Sequence, residues 1–350
     1  MKAAIIVLLA ALFCLVPILN LHGQTAMPEP NWDRSLALRT IHKTDAQATL
    51  KPLFQMARAG SNQELLEALS AIAQDSGMPA PAKDYTVFSF TLGLSDLDVN
   101  SVSPEVLEYL STYQARTLVA HDDHPRITVP LFNVRAAAAG VRNNWDRQQA
   151  VAQAESLSQK HPDQWISSYL AAGPAGRRGF VDALEFATPE QLRTLGWSAL
   201  ALLDKKPELT LVTASAGMNS GDFELLQQSI SRGDGPGLSR VMESASRKLS
   251  AEEQIKLLDY SLRLESDTKA ALAIAQLAPT LLDEPAVRKM LFSTLADRNL
   301  GAAAALVLGA SPDPGIQAQL SEIASKKDGL ARQRAALAIT TGRVDRGAEL

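Results

Sequence analysis

The stretch LVAHDDHPRITVP, residues 118–130, sets two histidines beside two aspartates. His121, Asp122, Asp123 and His124 are all metal-ligand types. Two neutral imidazoles and a carboxylate can hold Zn, Fe or Mn, which would make the chain a metal-dependent hydrolase. The same residues also suit a polar loop between helices, ended by Pro125, with Asp122 or Asp123 capping a turn. The loop is the reading adopted. It assigns no catalytic residue and calls for no cofactor.

Other stretches carry fragments of known chemistry. LVAHDD resembles the His-Asp pair of HD-type phosphohydrolases, all-helical enzymes with an apolar run before that pair. The resemblance implies a further upstream histidine and a downstream aspartate. His42 and Asp146 are the convenient candidates, in surroundings that depart from the pattern. DLDVNS is similar to the start of an EF-hand loop at Asp96, Asp98 and Asn100. Ser101 replaces its glycine and Leu107 its bidentate glutamate, so a solvated linker is expected. GPAGRRG (173–179) and RGDGPG (232–237) are glycine-rich like phosphate loops, yet lack the lysine and hydroxyl of a Walker motif. Arg177 and Arg178, near an expected helix start, could hold an anionic partner. SDTK has the Ser-x-x-Lys spacing of penicillin-binding enzymes without their other motifs, so Ser266 is expected to cap a helix. Trp145, Trp165 and Trp197 are expected in helix seams.

These residues must be positioned by helices. The composition is 46% apolar with only 5% aromatic residues, and alanine and leucine are abundant. That bias favours helices over sandwiches and barrels. A net charge of −4 supplies no basic field for nucleic acid. The opening MKAAIIVLLAALFCLVPILNLHGQTA has the form of an export signal. Its apolar run, residues 3–21, also reaches the length of an inner-membrane anchor if it stays uncleaved. Cys14, the only cysteine, lies inside that run, so an exported mature chain would have no disulfide.

Helix starts are legible at TPEQ (188–191) and SAEE (250–253), which have the capping-box pattern. SPEV (103–106) pairs a cap with a proline, and Asp283 precedes a further helix. KDYTVFSFTL (83–92), RITVPLFNV (126–134) and ELTLVTAS (208–215) are rich in β-formers. The first and third also fit helices, and Pro130 argues against a central strand in the second. AALAIAQ, AALVLGA and AALAITT align on Leu272, Leu306 and Leu337, in steps of 34 and 31 residues. SALALLD (198–204) fits as an earlier copy. This pattern resembles HEAT-type bacterial helical repeats, in which small residues allow close helix approach while leucines fill the seam.

The expected fold is all-α: a right-handed stack of antiparallel helix pairs, an α-solenoid of HEAT/TPR-like type. The expected segments are a signal peptide or anchor (1–26), a linker (27–34), an irregular helical region (35–160) and a repeat region (161–345). The expected role is a non-enzymatic scaffold, periplasmic or secreted, binding another envelope protein or peptide. It would touch no nucleic acid, and membrane only through an uncleaved N-terminal segment.

Overall fold

A computed structural model of the chain describes residues 31–43, 46–158, 161–326 and 329–347. Among them are 18 α-helices and one two-stranded antiparallel hairpin, so the fold is all-α apart from that hairpin. No helix of the described residues is long and apolar enough to cross a membrane. The expected signal or anchor, 1–26, lies outside the described residues. The chain divides into two compact units, residues 1–145 and 146–350. The division falls inside α6 (Val134–Ser158), whereas the repeat pattern suggested a change at residue 161.

The first unit holds α1 (Arg34–His42), α2 (Ala46–Ala59), α3 (Asn62–Gln74), α4 (Ala80–Gly93), α5 (Pro104–Thr112) and the start of α6. Between α5 and α6 lies the hairpin of β1 (Leu118–Ala120) and β2 (Thr128–Pro130). α4 is central, packing on α1, α2 and α3. Its body is the β-rich KDYTVFSFTL. Burial of Val87 and Phe90 outweighs a strand propensity of about 1 kcal/mol at most. The buried hydroxyls of Thr86 and Thr91 donate to the Ala82 and Val87 carbonyls one turn back, at 2.8 and 2.7 Å. Asp84 is fully buried and fully used. Its carboxylate accepts from Tyr113 Oη at 2.9 Å and from the backbone N–H groups of Arg116 and Thr117 at 2.8 and 2.7 Å. Those bonds fasten the chain entering the hairpin to α4.

The expected linker needs correction where it is described. The Asn31 and Trp32 N–H groups donate to the Leu118 carbonyl at 3.0 and 3.1 Å, and Asp33 caps α1 through the Leu36 N–H at 2.8 Å. Residues 31–34 are therefore part of the folded unit. The expected interhelical loop at 121–124 is corrected too, because it connects strands. Pro130 ends β2, in a hairpin where both strands are edges and no ladder bond needs its missing N–H.

The second unit runs from the rest of α6 through α7 (Pro162–Ala171), α8 (Pro174–Ala183), α9 (Pro189–Leu200), α10 (Thr210–Ser220), α11 (Phe223–Arg232) and α12 (Gly235–Lys248). It continues with α13 (Ala251–Leu262), α14 (Asp267–Leu277), α15 (Pro285–Thr294), α16 (Gly301–Ala310), α17 (Pro314–Ala324) and α18 (Leu330–Gly347). Prolines at the first turn start α7, α8, α9, α15 and α17, where a missing N–H costs nothing. Both capping boxes form, at Thr188–Gln191 and Ser250–Glu253, and Ser266 caps α14. α15 differs from expectation. Its cap position is Glu284 rather than Asp283, and no side chain caps it.

Helices pack in two series. α8, α10, α12, α14, α16 and α18 each lie against the next, and so do α7, α9, α11 and α13. AALAIAQ, AALVLGA and AALAITT occupy α14, α16 and α18, equivalent places in one series, while SALALLD begins on α9 in the other. Of the three aligned leucines, Leu272 packs against the core but the other two do not fill the seam. Leu306 and Leu337 are 60% and 56% exposed, while Ala304, Ala305, Ala335 and Ala338 are buried. The alanines make the contact because α16 and α18 approach at backbone distance. A Cβ on Gly309 would lie 2.5 Å from the Ala338 carbonyl oxygen.

Candidate functional site

The hairpin loop places the four candidate ligands at its tip. The His121 and His124 rings stack with centroids 5.5 Å apart. The Asp123 N–H donates to His121 Nδ1 at 3.2 Å, and the His121 N–H donates to the Ile127 carbonyl at 2.8 Å. Asp122 turns to Arg34, with Oδ1 3.1 Å from the guanidinium. Asp122, Asp123 and His124 are exposed. Among the described residues, no three His, Cys, Asp or Glu side chains form a group that could hold a metal ion. The companions suggested by the HD resemblance, His42 and Asp146, are surface residues on α1 and α6.

The remaining sequence candidates resolve into structural parts. Asp96 ends a short 3-10 turn, and Asn100 takes a positive φ of 62°, which bends the chain toward α5. Lys269 donates its ammonium to the Ser231 carbonyl, away from the Ser266 hydroxyl, so the Ser-x-x-Lys pair is not assembled as nucleophile and base. Trp145 and Trp165 are buried in their units. Trp197 is half-exposed and donates from Nε1 to Asp222 at 3.0 Å.

The two glycine-rich stretches have a different fate. Both border one groove of about 1200 Å³ in the second unit. Its floor is a single stripe of α10, formed by Leu211, Ser215 and Asn219, four residues apart and so on one face. α8 and α12 pack on either side of α10 and form the walls. GPAGRRG opens α8 and supplies Arg177 and Arg178; RGDGPG opens α12, ahead of Arg240. Asp234 caps α12 by accepting from the Gly235 N–H at 2.7 Å. Gly179 lets α8 lie against α6, because a Cβ there would overlap the Arg147 carbonyl oxygen.

Charges of both signs line the groove, and they are unevenly paired. At one end Lys248 on α12 meets Glu185 beyond α8 at 2.7 Å, and Arg247 meets Glu243 at 2.6 Å. At the other end Arg177 lies over the Tyr169 ring, 5.6 Å from its centroid. Arg177 Nε and Nη2 donate to the Ala172 and Leu170 carbonyls at 3.1 and 2.8 Å, satisfying the C-terminal end of α7. Tyr169 Oη donates to the Glu208 carbonyl at 2.8 Å. Burial raises the Tyr169 pKa above its ordinary value; Arg177 and Arg240 pull it down, and the Glu208 charge pushes it up. Arg178 and Arg240 have no ion-pair partner among the described residues.

Comparison of the chain with known protein families, with curated proteins and with solved structures finds no match. The site must therefore be read from its own geometry. It combines a pre-formed concavity, a polar floor and guanidiniums with donors to spare, and it shows no paired nucleophile and base. Such a surface suits recognition. The sequence pointed to Arg177, Arg178 and RGDGPG separately; Tyr169, Ser215, Glu208 and Arg240 were not singled out. The repeat step is the signal that could have joined them, since it sets same-series helices about thirty residues apart.

Proposed function

We propose that the chain is an exported, non-enzymatic scaffold that holds another envelope protein, through an extended peptide segment, in the α8–α10–α12 groove. The architecture we infer is an α-solenoid, a right-handed stack of antiparallel helix pairs of HEAT- or TPR-like type. What supports the stack is that every second helix packs on the next from α8 to α18. The observation that carries the function is the groove itself, built from three consecutive members of one series and open along α10. A peptide laid there would meet a periodic row of polar and charged groups, the usual recognition mode of stacked helical repeats. Export rests on the leading segment 1–26, whose retention would anchor the scaffold to the inner membrane.

A photo-crosslinking residue at Ser244, in the groove, and another at Gln319, exposed on α17, test this in cells. We expect one discrete adduct from Ser244 and none from Gln319. Equal adducts at both positions, or none at Ser244, would remove the groove as the binding surface. The mass of the mature chain in soluble and membrane fractions decides between cleavage and anchoring. The competing reading, a metal-dependent hydrolase at His121–His124, offers two stacked imidazoles without a third converging ligand among the described residues. Tight zinc binding that His121→Ala abolishes would revive it.

A further inference from the structure

We propose that the floor of the groove receives a carboxylate carried by the bound peptide, held by the Arg177 and Arg240 guanidiniums and the Ser215 hydroxyl. This rests on the peptide-binding reading above and names the group recognised.

Ser215 is the first reason. It is 8% exposed, it lines the groove from the middle of α10, and its hydroxyl makes no hydrogen bond with any described residue. Serines on helices usually bond a carbonyl one turn back. Ser229 on α11 does so, donating to the Leu225 carbonyl at 2.6 Å. Ser215 keeps its donor for whatever enters the groove.

The arginines are the second reason. A guanidinium carries five N–H donors in a planar fork suited to a carboxylate. Arg177 spends two donations on carbonyls of α7's last turn and is held by Tyr169, which leaves donors in a fixed orientation. Arg240 comes from the opposite wall and has no carboxylate partner among the described residues. Both line the groove together with Tyr169, and the charge of each pulls the Tyr169 pKa down.

The electrostatic balance at that end is the third reason. Arg177, Arg178 and Arg240 share the groove with Asp182, Glu208 and Asp234; the Asp182 carboxylate is paired with Arg147, and the Asp234 carboxylate is engaged as the cap of α12. The first turns of α8 and α12 also border the groove, and helix N-termini favour negative charge. At the far end the Lys248–Glu185 and Arg247–Glu243 pairs neutralise one another. One end therefore attracts an anion, and the other does not repel the rest of a peptide.

A peptide carboxylate can be an acidic side chain or the C-terminus. The test uses the full chain and three short fluorescein-labelled peptides in fluorescence anisotropy. One has a central glutamate and an amidated C-terminus, one a central glutamine and a free C-terminus, and one a central glutamine and an amidated C-terminus. We expect one of the first two to bind about tenfold more tightly than the neutral peptide, as charge-assisted hydrogen bonds imply, and which one does so identifies the source. Arg240→Gln, at an exposed position, and Ser215→Ala, a small change on a helix, are both expected to fold. Each should bring the acidic peptide to the level of the neutral one with melting unchanged. Equal binding of all three peptides would overturn the carboxylate while leaving a peptide groove standing. So would preference retained in both variants, or inorganic phosphate that displaces the peptide at equal concentration. Absence of binding by all three would overturn both readings.

Discussion

Gly179→Ala sets helix propensity against packing, and the structure decides the sign. Gly179 lies within α8, where alanine would by itself stabilise a helix by about 0.8–1 kcal/mol. A Cβ at this position, however, would overlap the Arg147 carbonyl oxygen and sit 2.9 Å from the Ala150 Cβ. The obstacle is backbone in α6, so no side chain can swing aside, and α8 must shift. Overpacking of this kind typically costs about 1–3 kcal/mol. Because the obstacle cannot move, the upper part of that range, about 2–3 kcal/mol, applies; subtracting the propensity gain leaves a net loss of about 1–2 kcal/mol, or a fall of about 2–8 °C in the Tm of a unit this size. Gly140, on the exposed face of α6 with nothing within 4 Å of its would-be Cβ, is the control. There Gly140→Ala should stabilise by up to about 1 kcal/mol. Urea and thermal melts followed by far-ultraviolet circular dichroism give both values. Tryptophan fluorescence adds a local reading, because Phe180 packs edge-on against Trp165 at 5.0 Å. If Gly179→Ala proved as stable as the parent while Gly140→Ala gained, the close approach of α8 to α6 would be wrong.

Thr188→Ala and Ser250→Ala should each cost about 1 kcal/mol in urea melts, since each removes a complete capping box, whereas Ser103→Ala should cost less because that hydroxyl makes no cap bond. Ser250 and its N–H also hold the Glu253 pKa below the ordinary glutamate value, so this contribution is present above that value and is lost as pH falls through the lowered one. Melts at decreasing pH should thus show less acid sensitivity in Ser250→Ala. Burial, the neighbouring Asp84 charge and the bond to that carboxylate push the Tyr113 hydroxyl far above the ordinary tyrosine range. Stability from this proton is complete below about pH 10 and falls as pH rises further; Tyr113→Phe should cost about 1–2 kcal/mol near neutrality and flatten the alkaline decline. Leu337→Lys should change stability by less than about 0.5 kcal/mol, while Ala338→Leu beside it should cost about 1–3 kcal/mol. Comparable losses from the two would put the leucine back into the seam.

Local signals in the sequence carried far. The two capping boxes, the Ser266 cap and the first-turn prolines act through a few adjacent residues, and each stands where its spacing indicates. ELTLVTAS is helical as expected, entering α10 through a short 3-10 turn. The errors concern facing. AALVLGA reads as a leucine set among small residues, which suggests that the leucine packs. The approach of Gly309 to the Ala338 backbone leaves room only for small side chains and turns Leu306 outward. Sequence period alone cannot tell a seam of alanines from a seam of leucines, because both recur at the same step. SALALLD has the right composition but belongs to the other helix series, since composition does not distinguish the two members of a pair. The hairpin was missed because its strands are three residues each, and long-range bonds to Asp84 and Asn31 fix the chain where it enters β1.

The candidate site was illegible for a related reason. GPAGRRG and RGDGPG resembled phosphate loops because glycine admits close approach, and close approach is what they provide, to helices as well as to solvent. Gly179 brings α8 onto α6, and Gly233 does the same beside Thr210, with a would-be Cβ 2.5 Å from its methyl. Arg177 and Arg178, just before Gly179, and Arg240, after Gly233, are thereby carried on α8 and α12 to the groove over α10. A pair such as Arg177 and Arg240 has no local spacing to recognise; its meeting depends on where α9, α10 and α11 lie between them. The same dependence makes the groove sensitive to seam packing. A shift of α8 caused by Gly179→Ala should change the spacing of Arg177 and Arg178 from α12. Peptide binding in that variant should therefore fall by more than its loss of folded fraction explains, and binding that tracked folded fraction alone would mean that the α8 wall takes no part.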